Sequence, residues 1–222
     1  GNKMKKLIIA ISSAMLVATS AFGIDLRPSV GISGNMAVYA ATGTEKNFNE
    51  AGSAVDTTTD EHGAFVAEYG SIFLEVGLND VISIGVDYVP QDFETPENVS
   101  QEDESNQRTV SAEFSDLTTV YAKLNVPLGG TYLKVGYSTV DVTSNENGSG
   151  ASRNSYGDDQ SDGFTVGVGY NHELMNGVAV RLEVTGTEFS DVQVDNGQTN
   201  KTQIQVKEMI GARGTLSVVK SF

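Results

Sequence analysis

Residues 66–88, VAEYGSIFLEVGLNDVISIGVDY, decide the fold of this chain. Every second residue from Gly70 to Leu78 is aliphatic or glycine, while the residues between them are small, polar or aromatic. After the short turn Leu78-Asn79-Asp80, every second residue from Ile82 to Tyr88 is again large and apolar. A period of two is that of a β-strand with a different environment on each face. The stretch therefore predicts two antiparallel strands joined by a tight turn.

The same alternation recurs in six further stretches, so that the sequence predicts eight strands. Their aliphatic faces are carried by Val30, Ile32, Met36 and Val38; Val120, Ala122, Leu124 and Val126; Leu133, Val135 and Tyr137; Phe164, Val166, Val168 and Tyr170; Val178, Val180, Leu182 and Val184; and Ile204, Val206, Ile210, Ala212, Leu216 and Val218.

Long and short connections alternate between these strands. The long, polar ones are Ala40–Gly63, Pro90–Gln107, Thr143–Asp162 and Ser190–Lys201, and the short ones are Leu78-Asn79-Asp80, Pro127-Leu128-Gly129-Gly130 and Met175-Asn176-Gly177. An up-and-down barrel would place all four long connections at one end and all three short turns at the other, as in bacterial outer-membrane barrels. We therefore predict an all-β fold, an eight-stranded antiparallel up-and-down transmembrane β-barrel.

The face opposite the aliphatic one is small, polar or charged. Its charged members form a predicted lumen-facing cluster that mixes acids and bases: Glu75, Asp87, Lys123, Lys134, Arg181, Glu183, Lys207 and Arg213. Alternation alone leaves two arrangements open. In a soluble, lipocalin-like barrel the aliphatic face would line the interior, whereas in a membrane barrel it faces lipid. The ion pairs that such a cluster can form, and the aromatic residues near strand ends, favour the membrane barrel.

The N-terminus is typical of a Sec signal peptide. Lys5 and Lys6 precede the apolar run Leu7–Ala18, and Ala21-Phe22-Gly23 has small residues where signal peptidase cleaves. The run is shorter than the roughly 20 residues of a membrane-spanning helix. We expect residues 1–23 to be an N-terminal remnant plus a cleaved signal peptide, and residues 24–222 to form the barrel.

The charge of the chain is strongly negative and unevenly distributed. The net charge is −15, and it becomes −18 when the three lysines of residues 1–23 are removed. The four long connections hold 17 acids against Lys46, Arg153 and Lys201, a balance of −14. Nucleic acid is excluded as a partner by this charge, and the absence of cysteine excludes disulfides and thiolate sites. We expect four acidic extracellular loops.

The C-terminal segment 214–222 ends on Phe222 and has Leu216 and Val218 at alternate upstream positions. In this respect, and in its strand pattern, residues 24–222 resemble the small eight-stranded outer-membrane barrels of the OmpA/OmpX type in Gram-negative bacteria, without a periplasmic domain. The resemblance implies that Leu216, Val218 and Phe222 form the signal read by the barrel-assembly machinery. Lys220 departs from that signal, in which an aromatic or aliphatic residue is usual.

The sequence predicts no catalytic residue, no metal ligand and no cofactor site. His62 lies in a long loop beside acidic residues, and His172 is followed by Glu173, which a strand would point to the opposite face. The acidic clusters lack the ligand order of an EF-hand loop. We therefore predict that the protein is not an enzyme.

Three functions remain open at this point. The first is a structural or surface-interaction scaffold in the outer membrane, whose loops meet an external ligand, a surface or a phage, and whose other partners are outer-membrane lipid and the assembly machinery. The second is a narrow, porin-like conduit for small solutes, for which glycines such as Gly31, Gly85 and Gly136 would leave space. The third is a soluble periplasmic binder. Because eight strands give an interior just wide enough for side chains to fill, the first is favoured.

Overall fold

A computed structural model describes residues 26–49, 54–96, 98–103, 106–147, 159–195 and 202–222 of the chain. The predicted signal peptide and the start of the predicted mature chain lie outside these residues. Within the described part, the chain forms eleven β-strands: β1 (Arg27–Phe48), β2 (Val55–Gly77), β3 (Ile82–Tyr88), β4 (Phe93–Glu94), β5 (Asn98–Asp103), β6 (Asn106–Asn125), β7 (Thr131–Asn147), β8 (Asp159–Met175), β9 (Val178–Phe189), β10 (Val192–Asp195) and β11 (Thr202–Ser221). Among the described residues, no helix is long and apolar enough to cross a membrane.

Eight of the strands form a closed antiparallel ring in the order β1-β2-β3-β6-β7-β8-β9-β11, and β1 pairs with β11 to close it. The short strands β4 and β5 continue the line of β3 along β6, and β10 continues the line of β9 along β11. The predicted eight-stranded up-and-down barrel is therefore confirmed. We call the end that carries the three short turns the turn end, and the opposite end the hairpin end.

The two faces of the strands have opposite surroundings. Aliphatic side chains lie on the outside, where Ile32 is 64% exposed and Val66 is 62% exposed. The polar face is inside, and Glu75 on β2 is only 4% exposed. This arrangement is the one predicted for a membrane barrel, and it contradicts the soluble binder, whose aliphatic face would have to line the interior.

The strands continue far into segments that the sequence predicted as loops. β1 runs to Phe48 and β2 begins at Val55, so most of the predicted connection Ala40–Gly63 is a paired hairpin. A strand crosses a bilayer with about 9–11 residues, whereas β1 has 22 residues and β2 has 23. Thr-rich segments such as Thr57-Thr58-Thr59 form strands readily, and the polarity of this segment indicates that both of its faces meet water.

The ladder between β2 and β3 is the shortest of the ring. β2 pairs with β3 only from Ile72 to Gly77, whereas it pairs with β1 along its whole length from Val55. Among the described residues, the part of β2 from Val55 to Ser71 has a ladder partner on one side only. We call the resulting opening between β2 and the β3–β4–β5 line the seam.

Candidate functional site

The interior near the turn end is filled by charged residues centred on Glu75. The Glu75 carboxylate accepts hydrogen bonds from Lys123 Nζ, from Tyr121 Oη at 3.0 Å, and from the Arg181 guanidinium at 3.0 and 3.2 Å. Because β2 and β9 are three strands apart in the ring, with β11 and β1 between them, the Glu75–Arg181 pair spans the lumen. All four side chains are buried.

A second carboxylate, Glu183 on β9, has a matching set of donors. Lys134 Nζ and Tyr132 Oη each donate to it at 2.8 Å. The two sets interlock, because Lys134 Nζ lies 4.1 Å from the centroid of the Tyr121 ring, which belongs to the Glu75 set. Lys123 of the Glu75 set lies over the Tyr132 ring in the same way, at 5.0 Å. Cations at these distances are attracted by the ring faces.

A third pair lies one step further toward the hairpin end. Arg213 Nη1 on β11 donates to Asp87 Oδ2 on β3 at 3.1 Å, and Arg213 Nη2 lies 4.0 Å from Glu183 Oε1. We call Glu75, Asp87, Lys123, Lys134, Arg181, Glu183 and Arg213 the ionic layer. It brings together seven of the eight residues that the sequence assigned to a lumen cluster.

The structure corrects the placement of Lys207. Glu208 has a positive φ of 52°, and the β1–β11 register shifts there, so β11 has a bulge. Met209 and Val206 both pack into the interior core on either side of the bulge. Since strand neighbours point to opposite faces, Lys207 lies on the outer face, opposite Thr42. A bulge inverts the facing of all residues beyond it, which alternation in the sequence does not reveal.

Glycines inside the barrel are covered by aromatic rings. Phe73 stands directly opposite Gly31, Tyr121 opposite Gly85 and Tyr132 opposite Gly169. A Cβ atom on Gly85 would lie 2.5 Å from Tyr121 Cζ, and it would overlap the ring. The sequence suggested that these glycines leave space in the lumen, but they do not. Each glycine instead makes room for an aromatic ring of the neighbouring strand to lie against the barrel wall. Gly136 is also crowded, since a Cβ there would lie 2.9 Å from the Val120 carbonyl oxygen.

The interior toward the hairpin end is apolar, which the alternation of the sequence did not predict. Rings from several strands stack, with centroids 5.1 Å apart for Tyr69 and Phe93, 5.3 Å for Tyr39 and Phe65, and 5.4 Å for Phe93 and Phe114. The space left among them is about 10 Å³, no more than one water requires. We call the rings Tyr39, Phe65, Tyr69, Phe93, Phe114 and Phe189 the aromatic layer. Phe93 lies in the predicted loop Pro90–Gln107, and Phe65 lies just before the predicted second strand. The alternation of the strands therefore did not point to either ring.

The three residues of the predicted assembly signal lie on the outer face of β11 and at its end. Leu216, Val218 and Phe222 are all exposed to the outside of the ring. Lys220 bends toward the turn end, where its Nζ donates to the Asn176 carbonyl and lies 5.7 Å from the Phe222 ring centroid. Its charge is thus held beside the turn, away from the middle of the aliphatic belt.

The two histidines lie near opposite ends of the barrel. His62 is exposed near the hairpin end and its Nδ1 lies 3.0 Å from Thr42 Oγ1. His172 is exposed near the turn end and stacks on Tyr170, with centroids 6.4 Å apart. Within the described ranges, no group of three or more His, Asp or Glu side chains is arranged to hold a metal ion.

Comparisons with known proteins agree with this architecture. A family model described as the outer membrane protein beta-barrel domain matches residues 9–207. Among solved structures, OprG of Pseudomonas aeruginosa aligns with a TM-score of 0.50 at 13% identity, over 87% of this chain and 95% of OprG.

More distant matches include the outer membrane protease OmpT of Escherichia coli, with a TM-score of 0.42 at 9% identity over 87% of this chain and 97% of OmpT. The attachment invasion locus protein Ail of Yersinia pestis aligns with a TM-score of 0.35 at 8% identity, over 86% of this chain and 99% of Ail. No curated protein matches the chain. At these identities the likeness is one of fold.

Proposed function

The chain belongs to the outer membrane protein β-barrel family, and on that premise we propose that it is a closed scaffold that displays an acidic, strand-built rim on the cell surface. The hairpin end would lie outside the cell and the turn end in the periplasm, which is the usual arrangement of such barrels.

The observation that carries this proposal is the filled interior. The Glu75–Arg181 and Asp87–Arg213 pairs cross the ring, and the aromatic layer lies above them. An eight-stranded barrel has an interior that side chains are able to fill. Two stacked obstructions, one ionic and one apolar, support a barrel without a permanent solute path.

The second support is the form of the rim. The β1–β2 hairpin projects well beyond the length that a bilayer requires, and it carries exposed carboxylates such as Asp56 and Asp60. Charge that is concentrated on a projecting sheet favours binding of an external partner over transport of solutes through the barrel. External ligands, a surface or a phage remain the proposed partners of this rim.

The aliphatic belt and the C-terminus supply the remaining proposed partners. The belt fits outer-membrane lipid, and Leu216, Val218 and Phe222 would be read by the barrel-assembly machinery during insertion. We propose no enzymatic activity. His62 hydrogen-bonds the Thr42 hydroxyl at an exposed position near the hairpin end and His172 stacks on Tyr170 near the turn end, so the two described histidines do not share a site.

Conductance in planar bilayers tests the proposal. The purified, refolded barrel should give no discrete channel openings. Glu75→Ala, which removes the acceptor shared by Lys123 and Arg181, should give none either, because the aromatic layer still closes the path. Steady openings of the unmodified protein would contradict the closed scaffold and favour the narrow conduit.

The orientation has its own test, which the lack of cysteine makes clean. Thr58→Cys on the long hairpin should react with a membrane-impermeant maleimide on intact cells. Leu128→Cys in a short turn is the matched control and should react only after the outer membrane is opened. The reverse pattern would place the acidic rim in the periplasm.

A further inference from the structure

The charges that are buried in the ionic layer do not balance. Among the described residues, the buried charged side chains inside the barrel are four bases and three acids: Lys123, Lys134, Arg181 and Arg213, and Glu75, Asp87 and Glu183. A buried charge without a counter-charge is costly. One additional negative charge would therefore stabilise the layer.

Loss of a proton from one of the bases would balance the charges only by breaking an ion pair. Lys123 Nζ donates to Glu75, and Lys134 Nζ donates to Glu183 at 2.8 Å. Arginine side chains stay protonated in proteins. An added anion would balance the charges and leave every pair in place.

The excess positive charge is located at Glu75. This carboxylate accepts hydrogen bonds from two bases, Lys123 and Arg181. The other two carboxylates of the layer each accept hydrogen bonds from one base. An anion that balances the layer is therefore expected beside Lys123 or Arg181.

Arg181 has one N–H group without an acceptor. Its Nη1 and Nη2 donate to Glu75 at 3.0 and 3.2 Å. Its Cζ lies 4.9 Å from the centroid of the Phe73 ring and 5.4 Å from that of the Tyr132 ring. Nε is buried, and no acceptor within the described part of the chain bonds to it. A buried donor of this kind is costly to leave unsatisfied, so Nε indicates on which side of Arg181 an anion would bind.

Polar side chains stand beside Arg181 on both neighbouring strands. Its ladder partners are Asn171 on β8 and Ser217 on β11. Asn171 Oδ1 is also buried without a donor among the described residues, and a flip of the amide would present an N–H at that place. The hydroxyls of Ser217 and Ser33 lie 2.9 Å apart and share one hydrogen bond, which leaves one of their two hydrogens available.

We propose that the barrel interior binds one small monovalent anion, such as chloride, against Arg181 Nε, with Asn171 and Ser217 on either side. The anion would balance the seven charges of the ionic layer and give Nε its acceptor. It would be a bound ion and not part of a solute path, because the aromatic layer lies between it and the hairpin end. The inference goes beyond the proposed surface role and does not depend on it.

The dependence of stability on chloride tests the proposal with the full refolded barrel in detergent. Urea unfolding is measured at increasing chloride, and gluconate, a much larger anion, keeps the sodium concentration and the ionic strength constant. A ligand that binds only the folded state raises the folding equilibrium constant in proportion to its concentration once that exceeds the Kd. Tenfold more chloride should then raise the constant about tenfold.

Three variants separate the ionic layer from the rest of the barrel. Arg181→Met removes both the excess charge and the Nε donor, and it should abolish the response to chloride. Lys123→Met removes the excess charge alone, and it should lose most of the response. Arg27→Met removes a half-exposed arginine at the turn end. It is the matched control and should keep the tenfold response.

Bromide locates the site without any substitution, so this measurement stands even where a variant fails to refold. Crystals of the unmodified barrel are grown with bromide in place of chloride. The anomalous signal should place a bromide ion within hydrogen-bond distance of Arg181 Nε, between Asn171 and Ser217.

The inference is wrong if the unmodified barrel is equally stable at all chloride concentrations, since the layer would then be balanced in another way, such as by an uncharged lysine. An undiminished response in Arg181→Met, or a bromide ion elsewhere in the barrel, would reject the site at Nε. Bromide at Nε together with a flat chloride response would mean an adventitious ion only, and it would also reject the inference. None of these results affects the conductance and labelling tests of the surface scaffold.

Discussion

The ionic layer and the aromatic layer occupy the same barrel interior, yet different forces hold them. In the ionic layer each carboxylate has named donors, as Glu75 has in Lys123 and Arg181. In the aromatic layer, rings such as Phe93 and Phe114 pack face to face with little directional bonding. This difference means that the stability of a buried charge depends on each of its hydrogen-bond partners, whereas the stability of a packed ring depends on how well its shape fills the space. The two layers should therefore respond differently to the loss of one side chain.

The largest effect is expected in the ionic layer. Glu75→Ala leaves Lys123 and Arg181 buried without their acceptor, and breaking a buried pair in this way costs about 3–5 kcal/mol. Urea unfolding of the refolded barrel in detergent measures the change in the free energy of unfolding. Far-UV circular dichroism reports the unfolding, since the chain has no tryptophan whose fluorescence could be used. Glu173→Gln, at an exposed position near the turn end, is the control and should leave the midpoint unchanged. A loss at Glu75 no larger than that at Glu173 would remove the distinction between the layers.

The aromatic layer should show a smaller and more graded loss. Phe114→Ala deletes a buried ring that stacks on Phe65 and Phe93, and large-to-small changes of this kind cost about 3 kcal/mol or somewhat more. Phe114→Leu fills part of the volume and should recover most of the loss, as measured by the same urea midpoint. The ionic layer offers no such partial repair, because Glu75→Gln keeps the shape but not the charge. Equal recovery by both conservative variants would contradict the comparison.

Tyr132 combines the properties of the two layers, because its ring packs against Gly169 and its hydroxyl donates a hydrogen bond to Glu183. Gly169→Ala would push against Tyr132, which donates to Glu183, and overpacking costs about 1–3 kcal/mol. Gly34→Ala is the matched control on the outer face, where no described atom lies within 4 Å of the added methyl group. Thermal unfolding of the two variants side by side should separate them. Similar melting of both would mean that the rings yield easily.

The smallest effect is expected at an exposed ion pair that resembles the ionic layer only in chemistry. Arg27 Nη2 and Asp80 Oδ1 lie 2.8 Å apart at the turn end, where the Asp80 side chain is largely in water and the Arg27 side chain is about half exposed. Arg27→Ala should change the unfolding midpoint by no more than the error of the measurement, because water and salt screen such pairs. A loss of stability close to that of Glu75→Ala would show that burial is not the reason why the ionic layer contributes strongly to stability.

The features that the sequence predicted are those that follow from strict alternation. The number of strands, their order and the facing of residues such as Ile72 and Glu75 all depend on a period of two. The charged composition of the interior followed from the same pattern, although the pairing of Glu75 with Arg181 did not, because β2 and β9 are far apart in sequence and meet only across the closed ring.

The features that were missed depend on departures from that pattern. Lys207 was assigned to the wrong face because the bulge at Glu208 shifts the period by one residue. The extended hairpins were taken for loops because a strand with water on both faces lacks an apolar stripe. The role of Gly85 was misread because its partner ring, Tyr121, belongs to a neighbouring strand. In each case the missing information is a contact between strands.

The unequal lengths of the ladders have a mechanical consequence. The first and last strands of the ring are joined from Ser29 to Asn47, so the place where the chain closes on itself is one of its most extensively bonded junctions. β2 and β3 are adjacent in sequence, yet they are joined only from Ile72 to Gly77. Under a pulling force, or during gradual melting, the wall should part first between these two neighbours. The separation would then spread from the hairpin end toward the turn that joins β2 and β3, while β1 and β11 remain paired.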